Sequence, residues 1–184
     1  MIEIREATRG DAEGIVHVMR ASLREIGRLS YNDEQVASSL VHLAVPDELL
    51  IDDGTYFVAV EDGEIVGCGG WSRRRKTHAG SAQSASDAAL LDPATEPARI
   101  RAMFTDPRWA RRGIGRQILE LCEARAAAAG FRKLQLVAMR SGEAMYRACG
   151  YVEVGEAPVR LEDGVVLECT LMEKIWSAPA MPAL

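Results

Sequence analysis

The segment Asp106-Pro107-Arg108-Trp109-Ala110-Arg111-Arg112-Gly113-Ile114-Gly115-Arg116 concentrates the residue types best suited to chemistry in this chain. Small residues at Gly113 and Gly115 let the backbone approach a ligand closely. A helical pattern starts at Ile114, and the first N–H groups of a helix have no intrahelical partners, so they face the loop as anion donors. Arg111, Arg112 and Arg116 add positive charge in the planar form that matches phosphate oxygens. The chemistry implied is capture of a polyanion, although a bare Gly-x-Gly also fits an ordinary strand-to-helix turn. Two nucleotide motifs are excluded, since position 118 is Ile rather than a third glycine and no Gly-Lys-Ser/Thr follows.

Other reactive side chains are more scattered. Tyr146 falls on a short helical run, where a tyrosine commonly packs its ring and bonds its hydroxyl to backbone. Arg99 and Arg101 stand two apart, on one face of a strand. They read either as a contact for an acceptor carboxylate or as structural pairs of an acid such as Glu168 or Glu3. His17 and His42 fall on helices and read as surface or core residues, and His78 lies in a loop. Arg73-Arg74-Arg75-Lys76 reads as a solvated loop, or as a contact for an outer phosphate. Trp71 and Trp109 read as packing aromatics that could also flank a site entrance. Cys68, Cys122, Cys149 and Cys169 lack CxxC spacing and read as core thiols rather than disulfides or metal ligands.

Composition narrows the function classes. A chain of 184 residues, 48% apolar and 27% charged, matches one globular domain with a full core. A net charge of −5 argues against a general nucleic-acid binder while leaving local basic patches free to hold a small polyanion. The start Met1-Ile2-Glu3-Ile4-Arg5 lacks the basic-then-apolar form of a signal peptide, and no run reaches the ~18 apolar residues of a membrane span. The expectation is a cytoplasmic protein with neither membrane nor nucleic-acid partners.

The elements that must position these groups follow from periodicity. Ile2 to Glu6 alternates as a strand, Thr8 to Asp11 can cap a helix, and Ile15, Val18, Met19 and Leu23 give that helix one apolar face ending near Gly27. Asn32-Asp33-Glu34 can cap a second helix carrying Val36, Leu40 and Leu43 and stopped by Pro46, the two forming a lid. Residues 55–60 and 64–71 read as a hairpin turned at Glu61-Asp62-Gly63. Residues 72–97 read as a long loop. Ala98 to Thr105 reads as a strand, Ile114 to Gly130 as a helix, and Lys133 to Ala138 as a strand. A short helix at 142–149 and a strand at 151–154 follow. Val159 to Leu161 and Val165 to Ile175 form a closing pair around Glu162-Asp163-Gly164. Residues 177–184 read as a disordered tail, leaving 1–176 as a single α/β domain with a central mixed sheet flanked by helices.

Two of these segments together carry a resemblance. Ala110 to Gly115 follows the register Arg/Gln-x-x-Gly-x-Gly/Ala between a strand and a helix, and Tyr146-Arg147-Ala148-Cys149-Gly150-Tyr151 matches Tyr-x-x-x-Gly-Phe after the next strand. The chain thereby resembles the GNAT superfamily of N-acetyltransferases over about residues 2–175. The resemblance implies the GNAT-like acyl-CoA N-acyltransferase fold, with acetyl-CoA as cosubstrate and no metal. It also implies direct acyl transfer to a primary amine, with a small-molecule acceptor expected. The turn from Arg111 to Arg116, with Gly113, Ile114 and Gly115, would hold the pyrophosphate. Backbone near Met103, Phe104 and Thr105 would hold the pantetheine arm as an added strand does and polarise the thioester carbonyl. Tyr146 would be the acid that protonates the departing thiolate.

Two departures from the family pattern qualify this reading. Ala110 stands where Arg or Gln is usual, and residues 98–103 contain no Glu to act as base, leaving Glu96 or a water chain. Cys149 has no His that the sequence can place beside it, which disfavours a covalent route. The rival class is an acyl-CoA sensor without turnover. A homodimer through the exposed edge of the C-terminal hairpin is an expectation by analogy.

Overall fold

The computed structural model describes residues 1–76 and 89–176. The chain begins with strand β1 (Glu3–Glu6) and helices α1 (Ala12–Glu25), α2 (Asp33–His42) and α3 (Glu48–Asp52). Strands β2 (Tyr56–Glu61), β3 (Glu64–Ser72) and β4 (Ala98–Thr105) lead to helix α4 (Ile114–Ala128). Strand β5 (Lys133–Met139), helix α5 (Glu143–Ala148) and strands β6 (Val152–Glu156), β7 (Val159–Arg160), β8 (Val166–Leu167) and β9 (Cys169–Ile175) complete it. Seven strands form one sheet in the order β1-β2-β3-β4-β5-β9-β6, and β7 and β8 form a separate ribbon. Among the described residues only β4 and β5 pair in parallel; the other pairings are antiparallel. The expected mixed α/β architecture is present.

Alternation along the strands assigns each side chain to one of two apolar layers. Phe57, Ala59, Val66, Ile100, Leu134 and Leu136 face α4, where Ile114, Ile118, Leu119 and Cys122 are buried. Each such aliphatic side chain contributes about 1.5–3 kcal/mol by leaving water. Tyr56, Val58 and Cys68 face the other way, onto Ile15, Val18, Met19 and Leu23 of α1. The asparagine expected to cap α2 does so: Asn32 accepts from the Gln35 N–H at 2.9 Å, and the Gln35 side chain accepts the Asn32 N–H in return.

Three expectations change in the structure. Residues 48–52 form α3, which has too few residues to show a period; its N-cap is Asp47, whose carboxylate accepts the Leu50 N–H at 3.3 Å. The closing pair is divided. Val159–Arg160 pairs only with Val166–Leu167, while β9 crosses into the main sheet between β5 and β6. Within the 72–97 loop, Arg74 and Leu90 make an isolated antiparallel bridge; His78 and the tail at 177–184 lie outside the described residues. Among the described residues no helix is long and apolar enough to cross a membrane.

The strand pair that matters most is β4 and β5. Their parallel ladder covers only Ala98 with Leu134, Arg99 with Gln135 and Ile100 with Leu136, although both strands continue beyond it. Past Ile100 they splay. On its other edge β4 is bulged: Cys68 opposes Phe104 and Gly70 opposes Arg101, so β4 carries one residue more than β3 across this interval. Ala102 takes the strain, with φ of 56°.

Candidate active site

The splay opens a cavity between the two halves of the sheet. Ile100, Ala102, Met103 and Phe104 of β4 form one side and Val137 and Met139 of β5 the other. It opens to solvent. Tyr146 of α5 stands at its edge with Ser141 and Gly142. Two of the three residues expected on the cofactor strand, Met103 and Phe104, line this cavity. Thr105 sits one residue further, beside the turn.

β4 runs directly from the cavity into the arginine-rich turn. The buried Asp106 organises its start, accepting the Arg108 N–H at 2.8 Å and the Arg108 guanidinium at 2.8 Å. The Arg108 contact holds the Asp106 carboxyl below the usual carboxylate range. Arg111 takes φ of 66° and Gly113 φ of 81°, both left-handed, and Gly113 is the N-cap of α4 with no side-chain cap and no acid in the first turn. A left-handed N-cap favours glycine, and N–H groups at a helix start with no side-chain cap suit an anion. Gly115 serves packing as well, because a Cβ there would sit 3.0 Å from the Met145 sulfur and 3.5 Å from the Thr105 hydroxyl. This contact seats α5 and its tyrosine against the turn.

The charged side chains of the turn divide by role. Arg111 and Arg112 are exposed, and Arg112 lies over the Trp109 ring, 4.4 Å from its centroid. Arg116 is paired with Glu120 at 2.8 Å. Ile114 is 1% exposed, so its side chain belongs to the core and only its backbone faces the loop.

Tyr146 is 8% exposed and meets Tyr151 edge-on, with centroids 5.8 Å apart. Burial pushes its phenol above the ordinary tyrosine range. The hydroxyl therefore stays protonated at neutral pH.

The remaining sequence candidates are placed elsewhere. Arg101 lines the cavity, yet its guanidinium is 1% exposed, donating to the Asp47 carboxylate at 2.9 Å and to the Lys76 carbonyl at 2.9 Å. Its partner is Asp47 rather than Glu168 or Glu3, because α3 brings its N-cap over the β4 face. Arg99 lies outside the cavity, and burial lowers its pKa against the favourable fields of Glu96 and Glu173. Glu96 pairs with Arg75 at 2.8 Å and accepts the Asp92 N–H, away from the cavity. Arg74 is bound to Asp53 at 2.7 Å, so the basic run after β3 meets carboxylates. His17 is exposed on α1, and His42 faces Asp163 at 3.4 Å and Glu162 at 3.8 Å; neither lines the cavity. Trp71 packs edge-on against Phe131 in the core. Cys68, Cys122 and Cys169 are buried free thiols and Cys149 is half-buried. Among the described residues no cluster suits a metal.

What the sequence reading missed is the far wall of the cavity. Ser22 and Leu23 of α1, Gly27, Leu43, Val159 and Leu167 line it together with β4 and β5. These positions come from segments far apart in the chain, so no local pattern announces them.

The comparisons with known proteins agree with the fold. A model of the acetyltransferase (GNAT) family matches residues 19–151. A GCN5-related N-acetyltransferase from Rhodopseudomonas palustris is similar over 95% of both chains, at 20% identity and a TM-score of 0.70. PaiA N-acetyltransferase from Thermoplasma acidophilum, solved in complex with coenzyme A, is 17% identical with a TM-score of 0.65, over 96% of this chain and 99% of its own. A ribosomal-protein-alanine N-acetyltransferase from Brucella melitensis is 17% identical with a TM-score of 0.62, over 95% of this chain and 99% of its own. No curated protein matches the chain in sequence. With the splayed strands, the uncapped glycine turn and a family model spanning both, the chain belongs to the GNAT family of acyl-CoA-dependent N-acetyltransferases, for which acetyl-CoA is the cosubstrate.

Proposed function

We propose that this protein transfers the acetyl group of acetyl-CoA to the primary amine of a small molecule by direct attack within a ternary complex. The observation that carries this reading is the splay of β4 from β5 between the anion-binding turn and Tyr146. Pyrophosphate held on the N–H groups of residues 113–116 directs the pantetheine arm along Met103, Phe104 and Thr105. The thioester then lies in the cavity. The amine nitrogen attacks the carbonyl carbon, and the charge that develops on oxygen is met by an N–H of β4 beyond Ile100, where the ladder to β5 has ended. Collapse breaks the C–S bond, and the thiolate takes the Tyr146 proton. Burial keeps that proton in place until then, so Tyr146 acts through position rather than acidity. Cys149 does not line the cavity and burial raises its pKa, which supports direct attack over an acyl-cysteine.

Thiol release from acetyl-CoA on addition of an amine, with the acetylated amine identified by mass, tests the transfer. Tyr146→Phe is expected to lower kcat by about 10²–10³-fold while leaving the acetyl-CoA Kd unchanged. Unchanged turnover would remove Tyr146 from the mechanism. Binding of acetyl-CoA without thiol release across broad amine classes would assign the sensor reading instead.

A further inference from the structure

Strand β4 changes face partway along its length. Ile100 packs in the α4 layer, and Arg101 turns the other way, to Asp47 at the start of α3. Regular alternation would return Ala102 to the α4 layer. Instead Ala102 and Phe104 pack with the α1 layer and Met103 with the α4 layer, so the bulge inverts the faces of the residues after it. The inversion passes through Ala102. Its left-handed φ of 56° is strained for a residue with a Cβ and persists only where neighbours hold it.

Two neighbours do so, and neither has a part in the chemistry described above. The Tyr56 hydroxyl of β2 donates to the Ala102 carbonyl at 3.4 Å, and the Cys68 thiol of β3 donates to the same oxygen at 3.8 Å, a sulfur distance. Both side chains are fully buried. Burial raises the Tyr56 phenol well above its ordinary value and pushes the Cys68 thiol up to about 12, so both keep their protons at neutral pH. The register with β3 steps from Arg101 opposite Gly70 to Phe104 opposite Cys68, passing over Ala102 and Met103, and the ladder with β5 has ended at Ile100.

Holding the Ala102 carbonyl fixes its whole peptide plane. The bond to Met103 is trans, so the Met103 N–H points opposite to that carbonyl, away from Tyr56 and Cys68. Strand β5 flanks β4 on the side away from β3, and the splay lies between β4 and β5.

Resting on the reading that an N–H of β4 polarises the thioester, we infer that Tyr56 and Cys68 are positioning residues that clamp the bulge and thereby aim the Met103 N–H at the thioester carbonyl oxygen. The developing oxyanion then meets a donor that is already oriented. Neither clamping side chain lines the cavity. Releasing the clamp lets the peptide rotate, so the loss falls on polarisation of the carbonyl rather than on acetyl-CoA binding, which the turn supplies.

Acetyl-CoA carrying carbon-13 at the thioester carbonyl, bound with no amine present, reads this directly. A hydrogen bond to the carbonyl oxygen moves its resonance downfield and its stretching band to lower frequency, and the native protein is expected to show both displacements from free acetyl-CoA. Tyr56→Phe and Cys68→Ala are each expected to reduce them, and the double variant to bring them most of the way to the free values, with the acetyl-CoA Kd unchanged. Cys68→Ser keeps a donor and is expected to retain the native displacements. With an amine that supports thiol release, kcat of the double variant is expected to fall about tenfold, less than when an oxyanion donor is removed outright, because the N–H is still present. If the double variant does not fold, Tyr56→Phe, which removes one oxygen, and the Cys68→Ala and Cys68→Ser pair carry the comparison. Native displacements in both Tyr56→Phe and Cys68→Ala, or a Cys68→Ser that behaves as Cys68→Ala, would overturn the clamp. A parallel loss of acetyl-CoA affinity would make both residues part of the sheet packing and overturn it as well. A native protein that binds acetyl-CoA without displacing the carbonyl signals would overturn polarisation by β4, and this inference with it. Displacement without thiol release from any amine would leave the clamp standing and remove acetyl transfer.

Discussion

The two ends of the cavity are built on opposite principles. The end proposed for the donor is a contiguous stretch, residues 103–116, that offers backbone amides and exposed arginines. The end proposed for the acceptor is gathered from α1, the end of α2, β4, the β7–β8 ribbon and β9, and offers buried apolar side chains. Backbone recognition at a helix N-terminus tolerates many side chains, because the donors are N–H groups that any residue supplies. A wall of side chains is specific to its residues. On the proposed function, donor binding follows from the fold, while acceptor choice follows from the side chains of this sequence.

If that contrast holds, the largest stability loss should come from the acceptor side, where a buried ion pair joins α3 to β4. Asp47→Ala removes the carboxylate paired with the buried Arg101 guanidinium, whose charge then rests on neutral contacts such as the Lys76 carbonyl. The expected cost is about 3–5 kcal/mol in denaturant unfolding at neutral pH. A loss below about 1 kcal/mol would mean that water reaches Arg101 and that the acceptor wall is not rigid.

Legibility from sequence followed the same division. The strand, turn and helix from Ala98 to Ala128 were readable because their signals lie in one consecutive stretch, with one motif downstream. The glycine at 113, the helix from Ile114 and the tyrosine at 146 all stand where spacing put them. Arg101 was legible as an unusual residue in a central strand, but its partner was not. Asp47 is 54 positions away and reaches it through a five-residue helix too short to show a period. The division of the closing pair was equally hidden, since residues 165–175 form one strand-like run with no Gly or Pro to break it, and only the tertiary pairing of β9 with β5 separates it from β8. Alternation reports a strand; it does not report which neighbour the strand takes.

A smaller effect is expected at the donor end. Gly113→Val forces a β-branched residue to φ of 81° at the N-cap of α4. The cost is about 1–3 kcal/mol, shared between helix stability and the anion site. Calorimetry should show acetyl-CoA binding weakened by about 10-fold or more with unfolding changed less than in Asp47→Ala. Equal affinity in the variant would show that the arginines, rather than the backbone amides, carry the phosphate.

The smallest effect concerns Asp106, the buried carboxylate that fixes the start of the turn. Its pKa is lowered in the folded protein, first by the Arg108 side chain and further by the Arg108 N–H. A carboxyl whose folded pKa lies below its unfolded value contributes stability that is complete above the unfolded pKa of ~3.9 and is lost as pH falls through the folded one. Arg108 is 63% exposed, so solvent screens much of the pairing. The contribution is therefore modest, and it appears only on the acid side. Asp106→Asn should flatten the acid limb of stability against pH below about 4 and leave stability at pH 7 reduced by the same small amount. Because Asp106 organises the donor turn and touches nothing in the acceptor chamber, this variant should also weaken acetyl-CoA binding without altering the order of preference among amines. A changed preference would mean that the two ends are coupled through β4, and that the bulge at Ala102 transmits between them.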